Sequence, residues 1–172
     1  MTKAQAGWAG LFIVGSVAVA LWAQEENLPR PVPQPIAFPH RTHVQGPPKL
    51  QCKSCHPNPD PGVTMTFLHQ DECMACHVEI KTDSPEIKKL AAFADSGRRV
   101  PWNRVYMIPD WVRFSHRLHL EKGNTCQECH GQVQDRMALG KETEVTSMAG
   151  CMTCHEMKGA NNQCDTCHEP KQ

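Results

Sequence analysis

The chain has 172 residues and a mass of 19.3 kDa, with 18 Lys+Arg balanced by 18 Asp+Glu. Zero net charge gives no basis for a nucleic-acid or polyanion partner. After the first 23 residues only 24 of 149 are Val, Ile, Leu or Phe, or 16%, whereas chains below about 20% tend towards disorder, so buried apolar mass must come from something other than side chains.

In chain order, residues 1–23 are expected to be an N-terminal membrane anchor or a signal peptide. Lys3 precedes an uncharged run from Ala4 to Ala23. Its apolar centre, Trp8 to Ala23, falls between the length of a signal h-region and the ~20 residues of a membrane span. Ala18-Val19-Ala20 would serve as a cleavage site, while Trp8 and Trp22 suit interfacial anchors. On either reading Lys3 stays inside and everything after Ala23 is exported. Residues 24–37 are expected to form a Pro-rich stalk. In Pro29-Arg-Pro-Val-Pro-Gln-Pro-Ile36 proline recurs at every second position, which forbids helix and favours extended polyproline II.

Residues 38–83 form a first unit: Phe38-Pro-His40-Arg-Thr-His43, then Cys52-Lys-Ser-Cys55-His56, the lone His69, and Cys73-Met-Ala-Cys76-His77. Residues 84–113 predict a helix and an aromatic connector. Ser84 is the expected cap and Pro85 the first helical residue. Ile87, Leu90, Ala91 and Ala94 make the buried stripe, and Gly97 the stop. Trp102, Tyr106 and Trp111 follow, as rings that replace missing aliphatic core. Residues 114–172 repeat the first unit imperfectly: Phe114-Ser-His116-Arg-Leu-His119, then Cys126-Gln-Glu-Cys129-His130, Cys151-Met-Thr-Cys154-His155 and Cys164-Asp-Thr-Cys167-His168.

All ten cysteines therefore sit in five Cys-x-x-Cys-His motifs, the attachment signature of c-type haem. Two thiols one helical turn apart can bond two vinyl groups, and the next residue can ligate iron. Disulfide scaffolds and zinc ribbons also use paired cysteines, but neither needs histidine after every second one. Five covalent haems with His56, His77, His130, His155 and His168 on iron leave five histidines for five opposite positions. Those are His40, His43, His69, His116 and His119. Histidines three apart share a helical face, so each paired set can serve two neighbouring haems. The first unit has three spare histidines for two motifs and the second has two for three. A fully histidine-ligated set thus needs one ligand to cross between units, or a methionine. Met148 is the better-placed thioether and Met137 the weaker, and His/Met ligation raises the iron potential.

These paired histidines and closely spaced motifs resemble class III cytochromes c, the small three- and four-haem family. The stretch Pro101-Trp-Asn-Arg-Val-Tyr106-Met-Ile-Pro-Asp-Trp111-Val-Arg-Phe-Ser-His-Arg-Leu-His119, with Gly123 and Cys126 to Gly131, is similar to multihaem subunits of alternative complex III and related quinol-oxidising membrane complexes. The resemblance covers about residues 36–168 and favours a retained anchor. Many such relatives carry histidine where this chain has Tyr106, and His69 is the candidate local replacement. The resemblance implies a bacterial cytoplasmic-membrane protein with its haem domain on the periplasmic side, or a periplasmic protein after signal cleavage.

The expected fold is mostly irregular, with short α-helices wrapped around five haems and little or no β. The expected function is electron transport as the haem-relay subunit of a quinol-oxidising respiratory or photosynthetic complex, with other subunits and a redox carrier as partners. A stand-alone periplasmic shuttle is the alternative. A multihaem reductase fits less well, since an open metal position is what substrate chemistry requires and enough histidines exist to cap every iron.

Overall fold

The computed structural model describes residues 29–169. The segment expected to be an anchor or signal peptide, residues 1–23, and the start of the Pro-rich segment lie outside the described residues. Among the described residues the regular structure is eight short α-helices: α1 His40–Val44, α2 Cys52–Cys55, α3 Gln70–His77, α4 Pro85–Asp95, α5 His116–Glu121, α6 Cys126–His130, α7 Met148–Lys158 and α8 Cys164–Cys167. A single 3₁₀ turn, Val133–Asp135, follows α6. No strand forms among these residues, only two isolated bridges, Pro31 to Gly140 and Val112 to His168. No described helix is long and apolar enough to cross a membrane.

The helices are short for local reasons. Cysteine, threonine and histidine are poor helix formers, and a helix below ~12–15 residues is marginal without tertiary support. Most of the motifs are therefore pinned at their starts. Glu72 accepts the His69 N–H at 2.8 Å ahead of α3, and Glu128 does the same for Thr125 ahead of α6. Ser147 Oγ accepts the Gly150 N–H at 3.0 Å to start α7. That helix ends at Gly159 in the left-handed region, φ 64°, where a Cβ is penalised.

Helix α4 follows its sequence closely, with Pro85 in its first turn and Leu90 buried on the inner stripe. Ser84 holds the cap position, but its hydroxyl makes no cap bond; its carbonyl accepts from Lys88 N at 3.0 Å instead. Leu90, Ile36 and Val100 are the buried apolar residues of the described chain, at 6%, 5% and 9% exposure. Cys73, Met74, Ile87, Phe93 and Trp102 pack around them. Three buried aliphatic residues are far too few to hold a chain of this size together.

The Pro-rich segment is extended as expected, but from Pro31 it is not a free stalk. Val32 N donates to Leu139 O at 2.8 Å. Gln34 exchanges hydrogen bonds with the Asn103 backbone at 2.8 and 2.9 Å, and Ala37 N donates to Glu86 at 2.6 Å. Proline leaves carbonyls without competing N–H donors along the strand-like run, and Asn103 Nδ2 takes one, Pro33 O, at 2.7 Å. The segment thus closes one side of the small cluster through Ile36.

Because that cluster is so small, a cavity within it should be costly. Leu90→Ala is expected to lower the stability of the haem-loaded protein by about 2–4 kcal/mol, measured by denaturant unfolding followed by far-UV circular dichroism.

Candidate haem centres

The ten motif cysteines are all unbonded to one another. No group of three or more His, Cys, Asp or Glu converges on a common point among the described residues. Disulfide scaffold and zinc ribbon therefore both lack their geometry here.

What the fold does bring together is imidazoles, in facing pairs. His40 lies opposite His56 with ring centres 6.4 Å apart and planes at 15°. His116 lies opposite His130 at 6.4 Å and 11°. His43 faces His77 at 6.0 Å, and His119 faces His155 at 6.1 Å. Two imidazoles bound on opposite sides of one metal, each at about 2 Å, have ring centres ~6.3 Å apart. All four pairs match that separation, and each joins one spare histidine to one motif histidine of the same unit. The two members of each His-x-x-His set serve different motifs, as one helical face requires. Phe38 packs between its two histidines, stacked on His43 at 4.4 Å and edge-on to His40 at 4.9 Å. Phe114 repeats the arrangement with His119 at 4.8 Å and His116 at 4.7 Å.

Ring orientation is set from behind. Nδ1–H donates to a backbone carbonyl in six histidines: His43 to Pro39 at 3.0 Å, His56 to Thr66 at 3.1 Å, His77 to Ile80 at 3.0 Å, His116 to Val63 at 3.0 Å, His119 to Ser115 at 2.8 Å and His155 to Asn161 at 2.7 Å. That bond fixes the tautomer and leaves Nε2 as the free lone pair, the usual support of a metal-bound imidazole. Burial lowers the pKa of His40 to about 4, with the charges of His56 and His43 adding to the effect. Burial also lowers His130, helped by His116 and His56. Both rings are thus neutral at pH 7, the form that binds a metal.

The attachment motifs are neighbours in an order that differs from the sequence. Burial raises the thiol pKa values, and adjacent thiols add to the shift: Cys55 for Cys73, Cys52 for Cys126, Cys154 for Cys129, and Cys167 for Cys151. The motifs therefore run second, first, third, fourth, fifth. Direct contacts agree at two of these junctions. The first and third are tied where Arg117 N donates to Gly62 O at 2.9 Å and the Arg117 guanidinium pairs with Asp60. Gly62 has φ 80°, and a Cβ there would run into the Arg117 side chain. The third and fourth are joined by Lys158 on Glu128 at 2.8 Å.

His69 and His168 are not paired with another imidazole in this way. His69 precedes α3, with Nδ1 2.8 Å from an Asp71 carboxylate oxygen and Nε2 3.3 Å from the amide nitrogen of the buried Gln70. His168 follows α8 in extended backbone, bridged to Val112. Met148 is the first residue of α7 and is 67% exposed, and Met137 is also exposed. Of the connector aromatics, Trp102 packs on the apolar cluster and Trp111 is exposed. Tyr106 meets the His130 ring edge-on at 4.6 Å, with its hydroxyl accepting from Glu142 N at 3.0 Å. Sequence reasoning marked Tyr106 as a departure but gave no sign of this contact. The carbonyls behind the rings were equally invisible, since every residue carries one.

The facing imidazoles, the adjoining thiol pairs and the shortage of side-chain core all fit a porphyrin-bound iron. That combination is the site of a multihaem cytochrome c, an electron-transfer protein with covalently bound c-type haem, and it is this class that the chain is similar to. Residues 112–169 match the family described as cytochrome c7 and related cytochrome c. Over 196 aligned residues the chain is 29% identical to the multihaem cytochrome c subunit of menaquinone reductase from Nitratidesulfovibrio vulgaris strain Hildenborough, covering 97% of this chain and 93% of that protein.

Since haem replaces the core, the chain made without haem attachment is expected to show no cooperative thermal transition in far-UV circular dichroism. The haem-loaded protein should unfold in one sharp transition.

Proposed function

We propose that the chain carries five haems and acts as the electron relay of a quinone-linked membrane complex. Each Cys-x-x-Cys pair holds one haem, through Cys52/Cys55, Cys73/Cys76, Cys126/Cys129, Cys151/Cys154 and Cys164/Cys167. The four imidazole pairs hold four of the irons. When bound, each haem supplies a one-electron iron couple, and the protein's part is to hold the rings and keep them apart from substrate. His168 binds the fifth iron; the spare His69 and Met148 are the two candidates for its opposite side, His69 capping α3 at the second motif and Met148 opening α7, whose Cys151 neighbours Cys167. The Asp71 carboxylate on His69 Nδ1 supports His69, since it is the kind of second partner that orients a metal-bound imidazole.

The observation that carries the relay reading is the closeness of the motifs, each having a thiol near enough to a thiol of a neighbouring motif for its charge to raise the pKa there. The subunit reading is supported by the likeness, along nearly its whole length, to a cytochrome subunit of a menaquinone reductase. That relative's name favours electron flow towards the quinone, the reverse of the quinol-oxidising direction expected from the sequence. The uncharged run in residues 4–23 supports a membrane tether with the haem domain on the periplasmic side. The balanced charge, 18 against 18, supports a fixed subunit over a shuttle, which relies on one-sided steering charge.

Purification from membranes in mild detergent should bring down further subunits, and the assembly should reduce a menaquinone analogue when its haems are pre-reduced. Recovery of the cytochrome as a lone polypeptide would sink the subunit reading and favour the shuttle. For the fifth iron, His69→Ala should convert one haem of five to the high-spin form in electron paramagnetic resonance. An unchanged His69→Ala spectrum, with the change appearing instead in Met148→Leu, would assign the thioether.

A further inference from the structure

The four imidazole pairs are alike in spacing and unlike in how their rings are held. In the His43/His77 and His119/His155 pairs both Nδ1 atoms are bonded to carbonyls. In the His116/His130 pair His116 is bonded to Val63 O. His130 has no protein acceptor, but its ring nitrogens are not among the sealed, unpartnered atoms. In the His40/His56 pair His56 is bonded to Thr66 O, while His40 Nδ1 is buried with no partner at all. His40 Nδ1 and Asn58 Oδ1 are the buried side-chain polar atoms without a hydrogen bond among the described residues.

The internal repeat shows why. His43 and His119 are each the second histidine of their set, and each reaches back four residues to a carbonyl at its helix start, Pro39 or Ser115. His40 and His116 are the first residues of α1 and α5, so no helical turn precedes them. His116 is rescued by Val63 O from the loop after the first motif, a loop docked through Gly62 and Arg117. Behind His40 the counterpart loop is docked in the same way, with Arg41 N donating to Arg136 O at 3.0 Å, but no carbonyl of it takes the His40 Nδ1–H.

We propose that the iron between His40 and His56 has the highest midpoint potential of the four imidazole-paired irons, because His40 is the one axial ring whose Nδ1–H is buried without an acceptor. The inference rests on the haem reading above. An acceptor on Nδ1–H makes imidazole a stronger donor and so favours Fe(III). Without one, Fe(II) gains relative to Fe(III) at that site. Each iron takes up one electron, and no bond forms or breaks. Axial-ligand electronics, hydrogen bonding and burial are the protein's recognised means of setting such potentials, and His40 differs from its repeat counterpart His116 in the last two: its Nδ1 is buried and has no acceptor.

Nuclear magnetic resonance of the full-length haem-loaded protein tests both halves. In the fully reduced, diamagnetic state the His40 Nδ1 proton should resonate upfield of those of His43, His116 and His119. In partly reduced samples, haem methyl signals assigned through contacts to Phe38 and Phe114 should show the His40/His56 haem reduced before the other three. A downfield, hydrogen-bonded His40 proton would overturn the inference. Reduction of any of the other three imidazole-paired haems ahead of it would do the same. Fewer than four low-spin bis-imidazole haems would instead defeat the underlying haem assignment, so the two failures are distinct.

Discussion

A metal between two imidazoles tolerates little positional error, and the fold sets four imidazole pairs at the spacing that such a metal would need. Ring centres at 6.0–6.4 Å are fixed by helices of four to eleven residues. None of these would persist alone. The stabilising contacts come instead from carbonyls behind the rings, phenyl groups between them, and the covalently bound haem. Metal and cofactor binding is then folding energy. A chain with three buried aliphatic residues can be ordered because its largest apolar surfaces are not made of amino acids.

This division of labour explains which features could be read from the sequence. The five motifs, the two His-x-x-His sets and helix α4 are defined by local spacing, and local spacing survives folding. The stripe Ile87, Leu90, Ala91 and Ala94 with Pro85 and Gly97 at its ends is a complete helix signal by itself. The Pro-rich segment was legible in conformation but not in placement. Its docking depends on Asn103 and Glu86, some fifty to seventy residues away, and no periodicity encodes that. The same holds for Tyr106, whose neighbour His130 lies across a loop. Ligand counting left one iron needing either a histidine that crosses between units or a methionine. The four observed pairs all stay within their own unit, and the question narrows to His168 alone.

The repeat also separates what duplication preserves from what it changes. Phe38 and Phe114 hold their histidines in the same way, and the second histidine of each set finds its carbonyl by the same helical geometry. The first histidine has no such local source, so its environment depends on whichever loop happens to lie behind it. In both copies a loop docks there, through Gly62 on Arg117 or Arg136 on Arg41, but only the first of these offers a carbonyl to the ring. Near-identical sequence motifs thus give unequal electronic surroundings, a difference that a relay of several irons can use to shape its energy profile.

The spatial order of the motifs adds a final step. Docking of the second unit through Gly62, Asp60 and Arg117 places its first motif against the first motif of the opening unit, so the second motif becomes one end of the row and the fifth the other. The two ends then have different neighbours. The second motif lies on α3, which packs on α4 and the apolar cluster near the start of the described chain. The fifth lies beside the connector, through Arg113 N on Cys167 O at 2.7 Å and the Val112–His168 bridge. A relay needs two separate points of contact, one for a donor and one for an acceptor. A row folded in chain order would have had one of its ends at the first motif. Folding the repeat back on its first motif instead puts the second motif, beside α4, and the fifth, beside the connector, at the two ends.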